Sequence, residues 1–501
     1  MKESKTHAAW MHVADTKAAN VTLCVMLGVS IVWQGSFFPI QYIWLLALLL
    51  LAITLTDRPF IMTTQVWLLL GLVIHMSLSL MLCAADKPMG LRELLRYMLL
   101  PISMLFFLVM KEYAESFIRA LYTGLLIVAA LGLLVYEGDF WIPVGIIQAN
   151  GRLQSTIQYA NTTALLMLIG ILYSAHYFIS TQKWRYPLYL AVFAYCLYAT
   201  GSRTTFVLAF GIAVVYTLSL LKRHARWIVM GVLILLAGFL FMQGGRIVRI
   251  SLTEPTFIER VITWQDGIRL VLQRPFFGLG LGDWQTEQFL YQSAPYAVRY
   301  VHNYYVQLLL DGGIIALLLF ALPVMISLWQ GWKGKSIHFF VILAVVLHIF
   351  VDIDMTYGGV IVIIAFSMAQ IPPIRERVRN INQLIRLSGL VPAALLLLMW
   401  GAEFRYTPTN PFAIKEAAAR ALIKEELYAA AIIQTEELLR MWQFNEEYQE
   451  MYRVLLSEAE AANIISSEEK QMKWLELERK LNNINPLYTR YIAEDARSVE
   501  E

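Results

Sequence analysis

Apolar runs long enough to cross a membrane recur along most of this 501-residue sequence, and no other feature constrains its fold as strongly. A membrane-spanning helix needs about 20 mainly apolar residues. The runs predict thirteen such helices, centred near residues 27, 47, 72, 102, 126, 170, 193, 212, 235, 316, 345, 363 and 396. The stretch HIFVDIDMTYGG interrupts the eleventh and twelfth, and it predicts either a short turn or a broken helix.

Composition supports the same fold class. Hydrophobic residues make up 58% of the chain and charged residues 15%, whereas soluble domains contain about 45–50% apolar and about 25% charged residues. We therefore expect an all-α, polytopic membrane protein with about 12–13 transmembrane helices.

The charges divide the chain into two predicted domains, at 1–404 and 405–501. The second carries 12 Lys and Arg against 18 Asp and Glu, a net charge of −6, whereas the first carries +9. Within the acidic tail, apolar residues recur at three- and four-residue spacing and predict a soluble helical domain. Its helices are predicted over AIKEAAARALIKEELYAAAIIQTEELLRMW, NEEYQEMYRVLLSEAEAAN and SEEKQMKWLELERKLNNI. They are similar to a tetratricopeptide pair without its period of about 34 residues, and we expect them to contact a protein or an acceptor.

Lys and Arg are concentrated in every second loop between the predicted spans. The positive-inside rule expects these basic loops on the cytoplasmic side, which they occupy if the N-terminus is cytoplasmic. The basic loops of the cytoplasmic series contain Arg58; Lys111 and Arg119; Lys183 and Arg185; Lys222, Arg223 and Arg226; Lys333 and Lys335; and Arg375, Arg377, Arg379 and Arg386. The opposite loop 84–96 breaks the pattern with Lys87, Arg92 and Arg96. An odd number of spans places the tail and the long segment 244–302 outside the cytoplasm.

That outer segment, 244–302, is rich in arginine and contains no lysine. A guanidinium binds phosphate oxygens through two parallel hydrogen bonds, which an ammonium cannot do. The segment therefore predicts recognition of pyrophosphate. Its six arginines are Arg246, Arg249, Arg260, Arg269, Arg274 and Arg299.

Several shorter patterns point to a site on the same side. In TGSRTTF, Arg203 stands at an outer helix end against the charge trend, which favours a functional role over simple snorkelling to the interface.

From Arg260 onwards, apolar residues at 261, 264, 268, 271 and 272 predict an amphipathic helix on the membrane surface, ended by Arg274 and Pro275. The following GLGLGDW, with Gly280, predicts either a close backbone approach to phosphate or sugar or simply a turn.

His302 begins the tenth predicted span, in VHNYYVQLLLDGG. A neutral imidazole is a ready general base near pH 7, and Asn303 or an acidic neighbour could fix its tautomer. The alternative is an ordinary interfacial histidine.

Asp352 and Asp354 are spaced as in some metal sites, but two carboxylates alone are weak evidence for a metal. We expect a structural or acceptor-positioning role for them and no metal.

The loop NGRLQSTIQYANTTA supplies three further polar residues that could bind sugar hydroxyls or phosphate, or could simply form a polar loop with a helix cap. These are Arg152, Gln158 and Asn161.

Together these stretches resemble the O-antigen ligase/polymerase superfamily of bacterial membrane glycosyltransferases. The resemblance covers much of 150–355: GRLQST with YAN, the pair Ser202 and Arg203, RPFFGLGLGDW, and His302-Asn303 followed by nine residues and Gly313. The ligase pattern has a second glycine three residues later, where this chain has Ala316.

The resemblance implies a GT-C-like, inverting enzyme without a metal cofactor in the bacterial inner membrane, with its active site on the extracytoplasmic side. Its donor would be a glycan on undecaprenyl pyrophosphate, held by Arg203 and Arg260, with Arg274 as the alternative to Arg260. His302 would deprotonate the acceptor hydroxyl, which a lipid, a protein or another glycan would carry. Membrane lipids would surround the chain, and no nucleic-acid partner is expected.

Three functions remain open. A ligase would transfer the finished glycan en bloc to a lipid or protein anchor, and we favour it slightly because the external tail suits a bulky acceptor. A polymerase would join lipid-linked repeat units. A lipid-linked oligosaccharide transporter ranks lower, because transporters commonly contain internal repeats and the sequence shows no obvious one.

Overall fold

The computed structural model describes residues 17–56, 58–138, 151–220, 255–379, 389–403, 413–481 and 485–486. Almost all of their regular structure is helical, which confirms the all-α prediction. The helices of the membrane domain are α1 (Lys17–Val32), α2 (Pro39–Leu55), α3 (Thr64–Leu82), α4 (Lys87–Val109), α5 (Ala114–Gly138), α6 (Ala160–Thr181), α7 (Arg185–Thr200), α8 (Arg203–Leu220), α9 (Pro255–Gln273), α10 (Trp284–Tyr291), α11 (Tyr304–Lys333), α12 (Ile337–His348), α13 (Gly358–Gln370) and α14 (Leu390–Glu403).

Twelve of the thirteen predicted spans coincide with these helices, and the ninth, near residue 235, lies outside the described residues. By length and composition, four of the described segments can cross a membrane: α3, α5 with its preceding turn (Lys111–Gly138), α6 and α11. Five shorter apolar helices accompany them, namely Pro39–Leu55, Arg203–Tyr216, Ile337–His348, Gly358–Gln370 and Leu390–Glu403. The chain is therefore an integral membrane protein.

Helix α4 explains why the loop 84–96 departs from the positive-inside pattern. The prediction of a loop there is wrong from Lys87 onwards, because α4 begins at that residue. The Lys87 ammonium donates to the carbonyls of Leu80 and Met81 at the end of α3. Arg92 pairs with Glu403 of α14 at 2.9 Å, and Arg96 pairs with Glu93. The charges of Arg92 and Arg96 are thus neutralised inside the protein and carry no topological signal.

A glycine breaks helix α11 near its middle. Gly313 has φ +68°, and a Cβ there would lie 2.3 Å from the carbonyl carbon of Phe276. The break leaves helix backbone groups without their usual partners, and the segment after α9 supplies them: Leu279 N donates to Leu310 O at 2.7 Å and Ile314 N donates to Pro275 O at 2.8 Å. Non-helical backbone at membrane depth persists only where protein satisfies it in this way.

Two contacts show which segments of the chain lie on the same face of the membrane domain. Strand β1 (Phe60–Thr63), between α2 and α3, pairs antiparallel with β2 (Glu376–Arg379), after α13. Both segments therefore lie on one face, as an even number of crossings between them requires. In the tail, Trp442 lies 4.2 Å from Phe289 of α10 between ring centroids, which places the tail on the same face as α10. Both relations agree with thirteen spans.

The tail contains four described helices: α15 (Ala413–Lys424), α16 (Tyr428–Met441), α17 (Glu446–Ala461) and α18 (Ser467–Leu481). The prediction of one continuous helix from Ala413 to Trp442 is wrong. Glu426 adopts φ +60° and Leu427 N donates to Leu422 O at 3.0 Å, a hydrogen-bond pattern that ends a helix. The resulting hairpin packs α15 against α16 and buries Ala419 and Ala431.

We predict the sidedness of these faces for labelling experiments on a background in which Cys24, Cys83 and Cys196 are replaced. Pro59→Cys, beside β1, and Arg377→Cys, in β2, are exposed positions that should react only after a membrane-impermeant thiol reagent is given access to the cytoplasm. Ser457→Cys, exposed on the tail, should react in intact spheroplasts. Labelling of the tail together with Arg377→Cys would refute the odd number of spans.

Candidate active site

Five segments of the chain meet around the buried carboxylate of Asp352, which lies in the turn between α12 and α13. The Tyr159 hydroxyl donates to one carboxylate oxygen at 2.7 Å, and the Asn161 amide donates to the other at 2.7 Å. The Arg260 guanidinium lies 3.4 Å from the second oxygen. His302 approaches the same carboxylate from the start of α11, and the turn at Gly201 contacts Arg152, which donates to Asn161. Asp352 is thus the centre of the candidate site.

His302 stands beside this carboxylate with its side chain 24% exposed. Its Nδ1 lies 3.7 Å from Asp352 Oδ1 and 3.5 Å from the Tyr159 hydroxyl. The backbone adopts φ +40°, a left-handed conformation that costs a non-glycine residue about 1–3 kcal/mol and persists where neighbours enforce it. Here Trp264 Nε1 donates to the Val301 carbonyl at 2.9 Å. Among the described residues Nε2 has no hydrogen-bond partner, so this nitrogen is the one available to accept a proton.

The Asn303 side chain hydrogen-bonds to the start of α11 and not to the His302 imidazole. Its side-chain oxygen accepts from the backbone N–H groups of Tyr305 and Val306 and so caps α11. The residue that faces His302 Nδ1 is Asp352, because the turn carrying it folds back over the start of α11. A carboxylate at this position favours the tautomer in which Nδ1 carries the proton.

Arg260 and Asp352 stabilise each other's charge. Arg260 also donates to the Val351 carbonyl at 2.6 Å. Burial lowers the pKa of Arg260, but the Asp352 carboxylate and its neighbours outweigh this and keep that pKa above its ordinary value. Burial likewise raises the pKa of Asp352, but Arg260, His302 and His348 together lower it below its ordinary value. Asp352 is therefore ionised at neutral pH.

Two more arginines lie next to this pair. Arg152 donates to the Thr200 carbonyl at 2.7 Å and to the Asn161 side-chain oxygen at 2.8 Å. Burial lowers the pKa of Arg152, and the charges of Arg260 and Arg203 lower it further against the opposing effect of Tyr159 and Asp352. Arg152 thus lies within electrostatic range of Arg203, Arg260 and Asp352, so three guanidinium groups are grouped beside this carboxylate.

The remaining predicted residues lie elsewhere. Arg274 follows the end of α9, about 20 Å along the helix from Arg260, and donates to the Leu279 carbonyl at 3.4 Å. Gly280, at φ +131°, packs on the backbone of Ala84, where a Cβ would lie 2.5 Å from its Cα. Gln158, at φ +61°, ends a short 3₁₀ turn before α6. The geometry places Arg260 beside His302 and gives Gly280 a packing role.

A second buried network runs beneath the site around Asp354, for which the sequence predicts a structural or acceptor-positioning role, but its members His348, Thr162 and Thr205 were missed. Asp354 accepts a hydrogen bond from the Thr162 hydroxyl at 2.7 Å and lies 2.5 Å from His348 Nδ1. The other imidazole nitrogen of His348 lies 2.8 Å from the Thr205 hydroxyl, which is 2.9 Å from that of Ser202. The network joins the Asp352 turn to the start of α8, where Arg203 lies. The only available signal was a histidine in the apolar run of the eleventh span.

The two aspartates therefore face different partners. Asp352 faces Arg260, Tyr159 and Asn161, whereas Asp354 faces His348 and Thr162. Within the described part of the chain, no group of three His, Cys, Asp or Glu residues could hold a metal ion.

Residues 188–321 match the model of a protein family described as O-antigen ligase. The match confirms the resemblance predicted from the sequence. No curated protein matches the chain. The O-antigen ligase segment contains Arg203, Arg260 and His302, whereas Arg152 and Asp352 lie outside it. The match supports a general O-antigen ligase- or polymerase-like function. Such a function implies a lipid-linked glycan and an acceptor as substrate classes.

Asp352→Asn should reduce glycan transfer by at least about 100-fold, because it removes the carboxylate that faces His302 Nδ1 and pairs with Arg260. The amide neither stabilises a protonated His302 nor offsets the three arginines. The substitution Glu468→Gln, at an exposed position of the tail, should stay within about twofold of the wild type and serves as the control. Transfer rates of the purified variants at equal folded yield measure the difference, and a fully active Asp352→Asn would contradict the arrangement.

Thr205→Val should lower the free energy of unfolding by about 1–3 kcal/mol, because the buried groups of His348 and Ser202 lose a hydrogen-bond partner while the volume is preserved. The adjacent Thr204→Val, at a half-buried position, is the control and should change stability by less than about 0.5 kcal/mol. Reversible unfolding in detergent provides the measurement. Equal stability of the two variants would show that the network does not hold the turn.

Proposed function

We propose that the protein is an inverting, metal-independent glycosyltransferase that moves a glycan en bloc from undecaprenyl pyrophosphate to an acceptor hydroxyl. One observation carries the proposal: a histidine backed by a buried carboxylate stands beside a cluster of three arginines. The histidine suits a base, and the arginines suit a leaving group with several negative charges.

In the proposed reaction, His302 Nε2 accepts the proton of the acceptor hydroxyl as its oxygen attacks the anomeric carbon. The new carbon–oxygen bond forms while the bond from that carbon to the pyrophosphate oxygen breaks. The electron pair of the broken bond leaves with undecaprenyl pyrophosphate. A single displacement of this kind inverts the configuration of the anomeric carbon. Asp352, beside Nδ1, stabilises the imidazolium that forms.

The arginines supply the charge stabilisation that many glycosyltransferases obtain from a divalent metal. Arg203 and Arg260 would bind the pyrophosphate oxygens in the planar, bidentate manner of a guanidinium, with Arg152 nearby. Such groups are effective because they are already oriented before charge develops on the leaving oxygen. The buried hydrogen bonds of Arg260 and Arg152 to backbone carbonyls hold two of them in place.

The surface of α9 supports a donor that is anchored in lipid. Ile258 and Ile262 face the protein interior, whereas Ile268 and Leu272 are 44% and 73% exposed. Phe276, just after the helix, is 62% exposed. An amphipathic helix with such an apolar face lies in a membrane interface. Arg260 on this helix would then meet a phosphate at the level of the lipid headgroups.

The alternative within the same chemistry is a polymerase that joins lipid-linked repeat units, and a lipid-linked oligosaccharide transporter ranks below both. The carrier and length of the surface glycan in a strain lacking the gene separate the first two. Full-length polymer stranded on undecaprenyl pyrophosphate would support the ligase, whereas single repeats that reach their final anchor would support the polymerase.

His302→Ala should abolish transfer while expression and donor binding remain close to those of the wild type. The imidazole is removed, but the arginines that would bind pyrophosphate are retained. The measurement is transfer by purified protein in proteoliposomes without any ion gradient, with lipid-linked glycan as donor. His176→Ala, on α6 and outside the site, is the control and should be active.

Two results would overturn the proposal. Full activity of His302→Ala would exclude the base. Movement of the lipid-linked glycan across the bilayer by the wild type, without any transfer, would assign the protein to the transporters.

A further inference from the structure

Arg299 is an outer-segment arginine that the proposed reaction does not use. It precedes His302 by three residues, so their Cα atoms are at most about 10 Å apart. The guanidinium carbon of Arg299 lies 5.4 Å from the ring centroid of Phe37 and 5.4 Å from that of Tyr300. Both distances are within the range of cation–π contact. The side chain is half-buried between these two rings.

The aromatic contacts leave the hydrogen-bonding groups of Arg299 available. A guanidinium stacks on rings through its face, whereas its N–H groups point outward within its plane. Arg299 Nε is buried and has no acceptor among the described residues, and no described carboxylate pairs with this arginine. A half-buried cation without a counter-charge favours the binding of an anion.

The neighbouring charges do not neutralise Arg299. Glu93 is paired with Arg96, and the Tyr300 hydroxyl donates to the same carboxylate at 2.9 Å. Tyr42 and Tyr300 both lie within electrostatic range of Arg96, Glu93 and Arg299. Glu93 is therefore the counter-ion of Arg96, and Arg299 has no carboxylate within salt-bridge distance among the described residues.

A strip of aromatic rings connects this place with His302. Ring centroids are separated by 4.9 Å from Phe37 to Tyr357, by 6.5 Å from Tyr357 to Tyr159, and by 6.4 Å from Tyr159 to His302. Phe37 is half-buried and Phe38 is 39% exposed. Tyr357 is buried within the strip, so the accessible aromatic faces are those of Phe37 and Phe38, which suit the apolar face of a sugar ring.

The backbone beneath Phe37 is held in an unusual conformation. Gln34, Gly35 and Ser36 have φ values of +51°, +62° and +56°, three left-handed residues in a row. The Ser36 hydroxyl donates to the Ser30 carbonyl at 2.9 Å, and Phe38 N donates to the Gln41 side chain at 3.0 Å. Left-handed non-glycine residues are costly and concentrate at functional sites and ligand clamps.

We propose that Arg299 and Phe37 form an acceptor subsite that binds a carboxylate or phosphate group on the acceptor glycan. This proposal rests on the proposed glycosyl transfer, and it makes the acceptor an anionic sugar. Arg203, Arg260 and Arg152 around Asp352 account for the donor pyrophosphate. Arg299 stands beside Phe37, three ring contacts along the strip from His302, so an acceptor glycan would reach from Arg299 to the proposed base.

Binding of small probes to full-length protein in detergent tests the subsite without any transfer. The probes are methyl glucuronide, glucose 6-phosphate and the neutral methyl glucoside, and saturation-transfer NMR measures their affinity. The wild type should bind at least one anionic probe about tenfold more tightly than the neutral one. The preferred anionic probe identifies the acceptor group as carboxylate or phosphate.

Arg299→Gln should abolish this preference, and Arg299→Lys, which keeps the charge but loses the planar fork, should retain part of it. Arg269→Gln removes another cation from the outer segment, at a side chain that is 65% exposed, and should leave the preference unchanged. The proposal fails if the wild type binds all three probes equally or if the preference survives Arg299→Gln. It also fails if Arg299→Gln and Arg299→Lys lose folded yield together, because the role would then be structural.

A transfer assay with an acidic acceptor supplies the second readout. Arg299→Gln should raise KM for that acceptor about tenfold with kcat within about twofold, and it should leave KM for a neutral acceptor unchanged. An equal loss with both acceptors would contradict the subsite. The probe experiment stands even if the protein transfers no glycan, so failure of the subsite and failure of the proposed function can be distinguished.

Discussion

The buried carboxylate of Asp352 is the interaction on which the arrangement of the candidate site depends. A charge removed from water must be paired and hydrogen-bonded, and loss of one partner from a buried pair costs about 3–5 kcal/mol. Here the partners come from distant parts of the chain: Tyr159 and Asn161 lie at the start of α6, and Arg260 lies on α9. Satisfying this one group therefore links segments that are far apart in the sequence and adds to their other contacts, such as those of Thr162 with Asp354 and of Arg260 with Val351. His302 gains its orientation from the same carboxylate.

The sequence was sufficient to predict the spans, because runs of apolar residues about 20 long have few structures available to them. It also named Arg152, Asn161, Arg260 and His302, which the structure brings to one carboxylate. The central position of Asp352 could not be foreseen, since a pair of acids two residues apart looks the same whether it binds a metal, a histidine or an arginine. Tyr159 was missed because one tyrosine among 25 carries no signal of its own.

Other differences arise from partners that lie far apart in sequence. Arg92 and Arg96 indicated a loop, because nothing near them in sequence reveals that Glu403 lies alongside or that Glu93 is turned inward with Arg96. Asn303 was a candidate partner for His302, yet the nearest donors to its oxygen are the backbone N–H groups that follow it. Local rules for helix capping could have predicted the second case but not the first.

The docking of the tail on α10 has a mechanical consequence. The Phe289 and Trp442 rings pack against each other, the Gln443 side chain donates to the Gln292 carbonyl at 3.3 Å, and Asn485 N donates to the Ser293 carbonyl at 2.7 Å. The last of these contacts is at Ser293, nine residues before His302 in the sequence. A force applied to the tail is therefore transmitted to the entrance of α11 through a short tether. A molecule that binds the tail therefore also restrains one end of the segment that leads to His302.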